Sequence, residues 1–136
     1  MANAEQRRAD AAKRAAMAAA DARAEAASAQ RLIDAFVAEL GSRGIPPEPL
    51  HARMLDGTRV KCDRVGWYLN AARTIAIGPG GEYFQLTVPG RPFARVRGVC
   101  VPAGQPSLVV ARGGRDGEGG DLAGLLARAL AAYSES

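Results

Sequence analysis

The chain has 136 residues, with 18 Lys and Arg against 14 Asp and Glu, and a formal net charge of +4. This length fits one domain and excludes two full hydrophobic cores. No run reaches the roughly 18 apolar residues of a membrane span, so we expect no membrane contact. The basic surplus is uneven: residues 42–112 hold ten basic and four acidic side chains, whereas residues 1–41 hold six of each.

Residues 1–41 predict an alanine-rich helix, because neither Pro nor Gly interrupts them before Gly41. Large apolar residues are concentrated between Leu32 and Leu40, where they share one helical face. We therefore expect residues 31–41 to dock on the domain and residues 1–30 to project. The helix as a whole has equal numbers of basic and acidic side chains, and its projecting part is small-sided. Three interpretations result: a solvated helix, a helix that pairs with another helix, or a helix that binds nucleic acid or membrane, which the zero net charge of residues 1–41 disfavours.

Residues 42–49 predict an extended linker because they contain three prolines. From residue 50 onward the apolar period changes to two, and turn residues separate the alternating runs. Short loops between such runs favour hairpins, so we expect an antiparallel sheet of about five or six strands. Two of these strands are predicted at residues 94–101 and 107–112.

A leucine face from Leu122 to Tyr133, with Asp121 placed as its cap, predicts a C-terminal helix packed on the sheet. The order is helix, strands, helix. The fold class predicted for the chain is therefore α+β, with residues 50–136 forming the sheet and its covering helix.

The inventory of reactive side chains disfavours catalysis. His51 is the single histidine and has no predicted partner, and no serine lies in a nucleophile motif. Cys62 and Cys100 have no metal-ligand spacing, and we expect two buried thiols in a reducing cytoplasm. No enzyme activity, cofactor or metal is therefore expected, and the start of the chain, which lacks a signal-type apolar segment, predicts a cytoplasmic protein.

Binding candidates come from the predicted strands. If Trp67 and Phe84 face the core, Tyr68 and Tyr83 face the opposite side among arginines, and aromatic–basic faces are one way to hold single-stranded nucleic acid. The loop at 112–121 is rich in Gly and precedes a helix, so it could cradle an anion, bind calcium weakly, or simply connect two elements. The candidate contacts for an anion or a partner are Arg64, Arg73, Tyr83, Arg95, Arg97, Arg112 and Arg115.

Three segments carry a resemblance: GWYL at 66–69, IGPGGEYFQL at 77–86, and GGRDGE at 113–118 before the leucine helix. Together they make the chain similar to short uncharacterised proteins of GC-rich actinobacteria. The resemblance implies a bacterial cytoplasmic protein and no named activity.

The sequence leaves three functional hypotheses. The first is a non-catalytic protein-interaction or accessory module that acts through the N-terminal helix or a basic sheet face. The second is a nucleic-acid-associated protein that uses the basic sheet face. The third is a small enzyme, which the residue inventory favours least.

Overall fold

The computed structural model describes residues 2–90, 93–110 and 120–135. Its fold is α+β, as predicted, with a long N-terminal helix, a five-stranded sheet and a C-terminal helix. The helices and strands in chain order are α1 (Ala2–Ser42), β1 (Glu48–Met54), β2 (Arg59–Tyr68), β3 (Ile75–Ile77), β4 (Tyr83–Gln85), β5 (Thr87–Val88), α2 (Ala94–Arg97), β6 (Val109–Val110), β7 (Gly120–Asp121) and α3 (Leu122–Glu135).

The main sheet is mixed, which corrects the prediction of an antiparallel one. Its strand order is β4-β3-β2-β1-β5; β1–β2, β2–β3 and β3–β4 pair antiparallel, whereas β5 pairs parallel with β1. A second, two-stranded sheet joins β6 and β7. Short loops predict the antiparallel hairpins, but they do not predict that β5 pairs with β1, which lies far away in the sequence.

Leu86 closes the main sheet into a small barrel. It is the one residue between β4 and β5, which lie at opposite edges of the sheet. Its N–H donates to the carbonyl of Thr74 at 2.8 Å, and its carbonyl accepts from the N–H of Arg53 at 2.7 Å. The two edges therefore meet at this residue, and a barrel leaves few unpaired strand groups exposed.

The length excludes two full domain cores, but barrel closure divides the buried residues of this one domain into two clusters, because strand side chains alternate between faces. One core fills the barrel and the other lies between the helices and the outer face of β2, β3 and β4. The barrel core contains Leu50, Ala52, Met54, Val60, Tyr68, Ala76, Phe84, Leu86, Ala94 and Val101. The helix-side core contains Ala29, Ile33, Phe36, Leu40, Trp67, Leu69, Ile75, Ile77, Tyr83, Leu122, Leu125, Leu126 and Ala129.

Helix α1 is about 60 Å long at 1.5 Å per residue, and only its C-terminal part packs. Residues 3–24 are exposed, whereas burial begins at Glu25 and is complete at Ala29. The packed part therefore starts about six residues before the predicted residue 31. The helix also passes Gly41 and ends at Ser42; Gly44, at φ 70°, then takes the left-handed conformation typical of a helix end.

Three other boundaries differ from the sequence predictions. Strand β1 begins at Glu48, inside the predicted linker. Pro49 has no backbone N–H to donate to the neighbouring strand, but it lies next to a register shift of the β1–β2 pair, where proline is tolerated. The strand predicted at 94–101 is not formed: residues 94–97 form the helical turn α2, and Val99 makes a single parallel bridge with Cys62. The strand predicted at 107–112 is present as β6, and residues 111–112 lie outside the described part of the chain.

Helix α3 forms as predicted. Leu122, Leu125 and Leu126 are buried against α1 and the sheet, and the Asp121 carboxylate accepts a hydrogen bond from the Gly124 N–H at 3.2 Å. This capping bond satisfies one of the free N–H groups of the first helical turn.

Candidate functional site

The predicted aromatic–basic face is not present, because the tyrosines are buried on two different sides. Tyr83 is 5% exposed in the helix-side core with Trp67, and Tyr68 is 8% exposed in the barrel core with Phe84. The register pairs Trp67 with Ile77 and Ile77 with Tyr83, so these three share a face. Burial raises the pKa of the Tyr83 phenol, and a hydrogen bond with the Gln85 side chain opposes part of this shift.

Arg64 and Arg73, two predicted contacts, are engaged within the fold. The Arg64 Nε donates to the Val101 carbonyl at 2.7 Å, and its guanidinium carbon lies 4.9 Å from the centre of the Phe84 ring. The guanidinium carbon of Arg73 lies 5.2 Å from the centre of the Tyr68 ring. Both arginines therefore cover aromatic residues of the barrel core through cation–π contacts.

The other predicted contacts divide into one described side chain and three that are not described. Arg97 is exposed on α2, with its guanidinium carbon 5.9 Å from the centre of the Phe93 ring. Arg95 also belongs to α2, but its side chain lies outside the described part of the structure. Arg112 and Arg115 lie wholly outside the described residues. The loop predicted at 112–121 is described only where β7 begins.

A basic surface lies instead on the outside of the β1–β2 hairpin, and the sequence reading missed it. In the antiparallel register Arg53 is opposite Arg59, and His51 is opposite Lys61. Residues between them, such as Ala52 and Val60, point into the barrel, so these four side chains point outward. We call this surface the basic hairpin face; it consists of His51, Arg53, Arg59 and Lys61.

The pattern that reveals this face is present in the sequence. HARM at 51–54 and RVKC at 59–62 each alternate polar or basic residues with apolar ones. The predicted contacts begin at Arg64, whereas the cations that share this surface lie between His51 and Lys61.

The cations of the basic hairpin face have one acidic neighbour along β2, Asp63, which is exposed two residues beyond Lys61. The ion pairs described in the chain are Arg43 with Glu39 at 2.8 Å and Arg64 with Asp63 at 3.9 Å. Arg53, Arg59 and Lys61 belong to neither pair. Like charges directly opposite each other on a sheet destabilise it, so this arrangement costs the fold free energy unless an anion binds there.

Helix α2 borders this face on the β2 side. The Val99 N–H donates to the Lys61 carbonyl at 2.8 Å, and Gly98 lies so close that an added Cβ would be 2.7 Å from the same oxygen. Glycine at φ 78° is therefore required where α2 meets β2. This contact places Arg97, the residue before Gly98, beside Lys61.

The cysteines have different environments, which corrects the prediction of two buried thiols. Cys62 is half-buried, and its thiol donates to the Leu50 carbonyl at 3.2 Å; burial raises its pKa. Cys100 is exposed. Both are free thiols.

Comparisons with protein families, with curated proteins and with solved structures each give no match to this chain. The similarity to actinobacterial proteins therefore stays a prediction. Helix α1 has the length to cross a bilayer but not the apolarity, and no other described helix combines the two properties. Within the described residues, no three His, Cys, Asp or Glu side chains lie together as metal ligands would.

Proposed function

We propose that this protein is a non-catalytic binding module and that its basic hairpin face binds the phosphate backbone of nucleic acid. The observation that carries the proposal is the placement of Arg53 opposite Arg59, with Lys61 two residues further along β2 and no ion pair to any of them among the described residues. A bound polyanion would convert this repulsion into attraction.

The spacing of the cations suits a chain of phosphates. Outward residues on one strand repeat at about 6.6–6.8 Å, and neighbouring strands lie about 4.8 Å apart. Arg53, Arg59 and Lys61 thus form a compact triangle that can contact successive phosphates of one strand. Arginine contributes a planar guanidinium that can hold phosphate oxygens with two parallel hydrogen bonds.

The test compares two triple variants of identical chemistry. Arg53→Gln/Arg59→Gln/Lys61→Gln removes the charges of the basic hairpin face. The matched control, Arg7→Gln/Arg8→Gln/Lys13→Gln, removes two arginines and one lysine from the exposed part of α1, so both variants have the same net charge.

Fluorescence anisotropy with a labelled oligonucleotide measures affinity as a function of salt. Three lost phosphate contacts should lower the affinity roughly a hundredfold at 50 mM salt and reduce the slope of log K against log salt by about 2. The control should keep most of the affinity. An equal loss in both variants would contradict the proposal, because binding would then follow net charge and not this surface.

The exposed part of α1 favours a second candidate function, self-association. Residues 3–24 are exposed and form a helical segment about 33 Å long that carries five basic and three acidic side chains. Alanine side chains would let a second helix approach closely. Light scattering on the full chain tests this candidate: a monomer across the micromolar range would contradict it.

A further inference from the structure

Phe93 is the most unusual residue beside the basic hairpin face. Its side chain is 72% exposed, and its backbone has φ 65° and ψ 10° at the start of α2. Bulky side chains disfavour this left-handed region, which glycine and asparagine adopt readily. An exposed ring buries little apolar surface in return, so folding stability does not account for phenylalanine at this position.

The ring is partnered by a cation and lies close to the proposed phosphate contacts. Arg97 approaches the Phe93 ring at 5.9 Å, and Gly98 packs on the backbone of Lys61. Phe93 and Gly98 are five residues apart across a helical turn, about 8 Å of helical rise. A short stretch of nucleic acid can therefore contact both Lys61 and Phe93.

We propose that Phe93 is a stacking platform for an unpaired base, so that the chain binds single-stranded nucleic acid in preference to duplex. This inference rests on the proposed function, since it takes phosphate binding by the basic hairpin face as given. The phosphates lie along Arg53, Arg59 and Lys61 while one base stacks on the ring of Phe93. In a duplex the bases are stacked on each other and cannot reach the ring.

An anionic lipid surface is the other partner that an exposed apolar and basic surface attracts. The cation–π contact of Phe93 with Arg97 favours nucleic acid, because inserting the ring into lipid would also bring the guanidinium toward hydrocarbon. Stacking of a base leaves the guanidinium at the surface.

The experiment measures binding of the full chain and its variants to a 12-nucleotide single strand and to a 12-base-pair duplex at one salt concentration. Phe93→Ala should lower single-strand affinity about five- to a hundredfold and leave duplex affinity unchanged. Phe93→Tyr, which keeps an aromatic ring, should retain single-strand binding. Val96→Ala is the matched control, since Val96 is 84% exposed on the same helical turn.

The outcomes separate this inference from the proposed function. If the hairpin triple variant loses binding but Phe93→Ala changes neither affinity, or lowers both equally, the stacking role is wrong and phosphate binding stands. If neither oligonucleotide binds the unmodified chain, both proposals fail. Binding to vesicles containing anionic lipid that depends on Phe93, without a single-strand preference, would overturn the inference in favour of a membrane surface.

Discussion

Reversing one charge on the basic hairpin face should stabilise the protein. In Arg59→Glu, a carboxylate replaces the guanidinium opposite Arg53 and two residues from Lys61. Surface substitutions usually leave stability unchanged or reduce it, so a gain would be a specific consequence of crowded positive charge.

The size of the effect follows from Coulomb's law. Two unit charges about 7 Å apart in water interact by about 0.6 kcal/mol, and the reversal changes a repulsion into an attraction of similar size. We therefore expect a gain of about 1 kcal/mol at 10 mM salt. Screening reduces it to about 0.5 kcal/mol at 0.15 M and to a negligible amount at 1 M.

Thermal unfolding followed by circular dichroism at these salt concentrations is the assay. A gain of 1 kcal/mol corresponds to a rise in Tm of about 4 °C for a chain of this size. Arg59→Gln separates charge from shape, and Arg8→Glu makes the same charge change on the exposed part of α1, where no shift in Tm is expected. If Arg59→Glu lowered the stability by the same amount at 10 mM and 1 M salt, the proposed repulsion among Arg53, Arg59 and Lys61 would be refuted, because salt screening must weaken a purely electrostatic effect.

Three further predictions concern the fold around this face. In Tyr133→Phe, the Tyr68 N–H loses the hydroxyl that accepts its hydrogen bond at 2.8 Å, so urea unfolding should show a loss of about 1–3 kcal/mol; an unchanged midpoint would contradict this. In Gly66→Ala, the new Cβ would lie 2.1 Å from a backbone carbonyl oxygen of β3, so β2 and β3 would have to separate. The thermal midpoint of unfolding should therefore fall by more than 5 °C. A fall of under 2 °C would contradict this, because it would mean that the two strands can move apart at little cost in free energy. In alkylation at pH 8, followed by peptide mass spectrometry, exposed Cys100 should react well before Cys62, whose burial raises its pKa; equal rates would mean that the barrel opens readily.

Local patterns predicted the elements whose stability is local. The alanine run of α1, the leucine face of α3 with its Asp121 cap, and the alternating strands from Val60 to Val88 all follow from propensity and period. Their existence needs no knowledge of which elements meet.

Barrel closure could not be predicted in this way. Leu86 pairs with Thr74 on one side and Arg53 on the other, and the second partner is 33 residues away in sequence. Nothing in the alternating pattern says that a strand will change partners in its middle.

The site prediction failed because it assigned Trp67 and Phe84 to the same face of the sheet. The register instead puts Tyr83 on the face of Trp67 and Tyr68 on the opposite face with Phe84. Helices cover the first face and the barrel encloses the second, so both tyrosines are buried. The outer face of the β1–β2 hairpin is open. The alternation in HARM at 51–54 and RVKC at 59–62 predicts basic side chains on one face of each strand, and the folded register adds that Arg53 lies directly opposite Arg59.

The most direct measurement of the central claim is an NMR titration of the full, nitrogen-15-labelled chain with a single-stranded oligonucleotide. Binding at the basic hairpin face predicts that the largest amide shifts occur at residues 51–53 and 59–61, with smaller shifts in α2. Shifts concentrated in residues 3–24 of α1, or spread evenly over the surface, would contradict it.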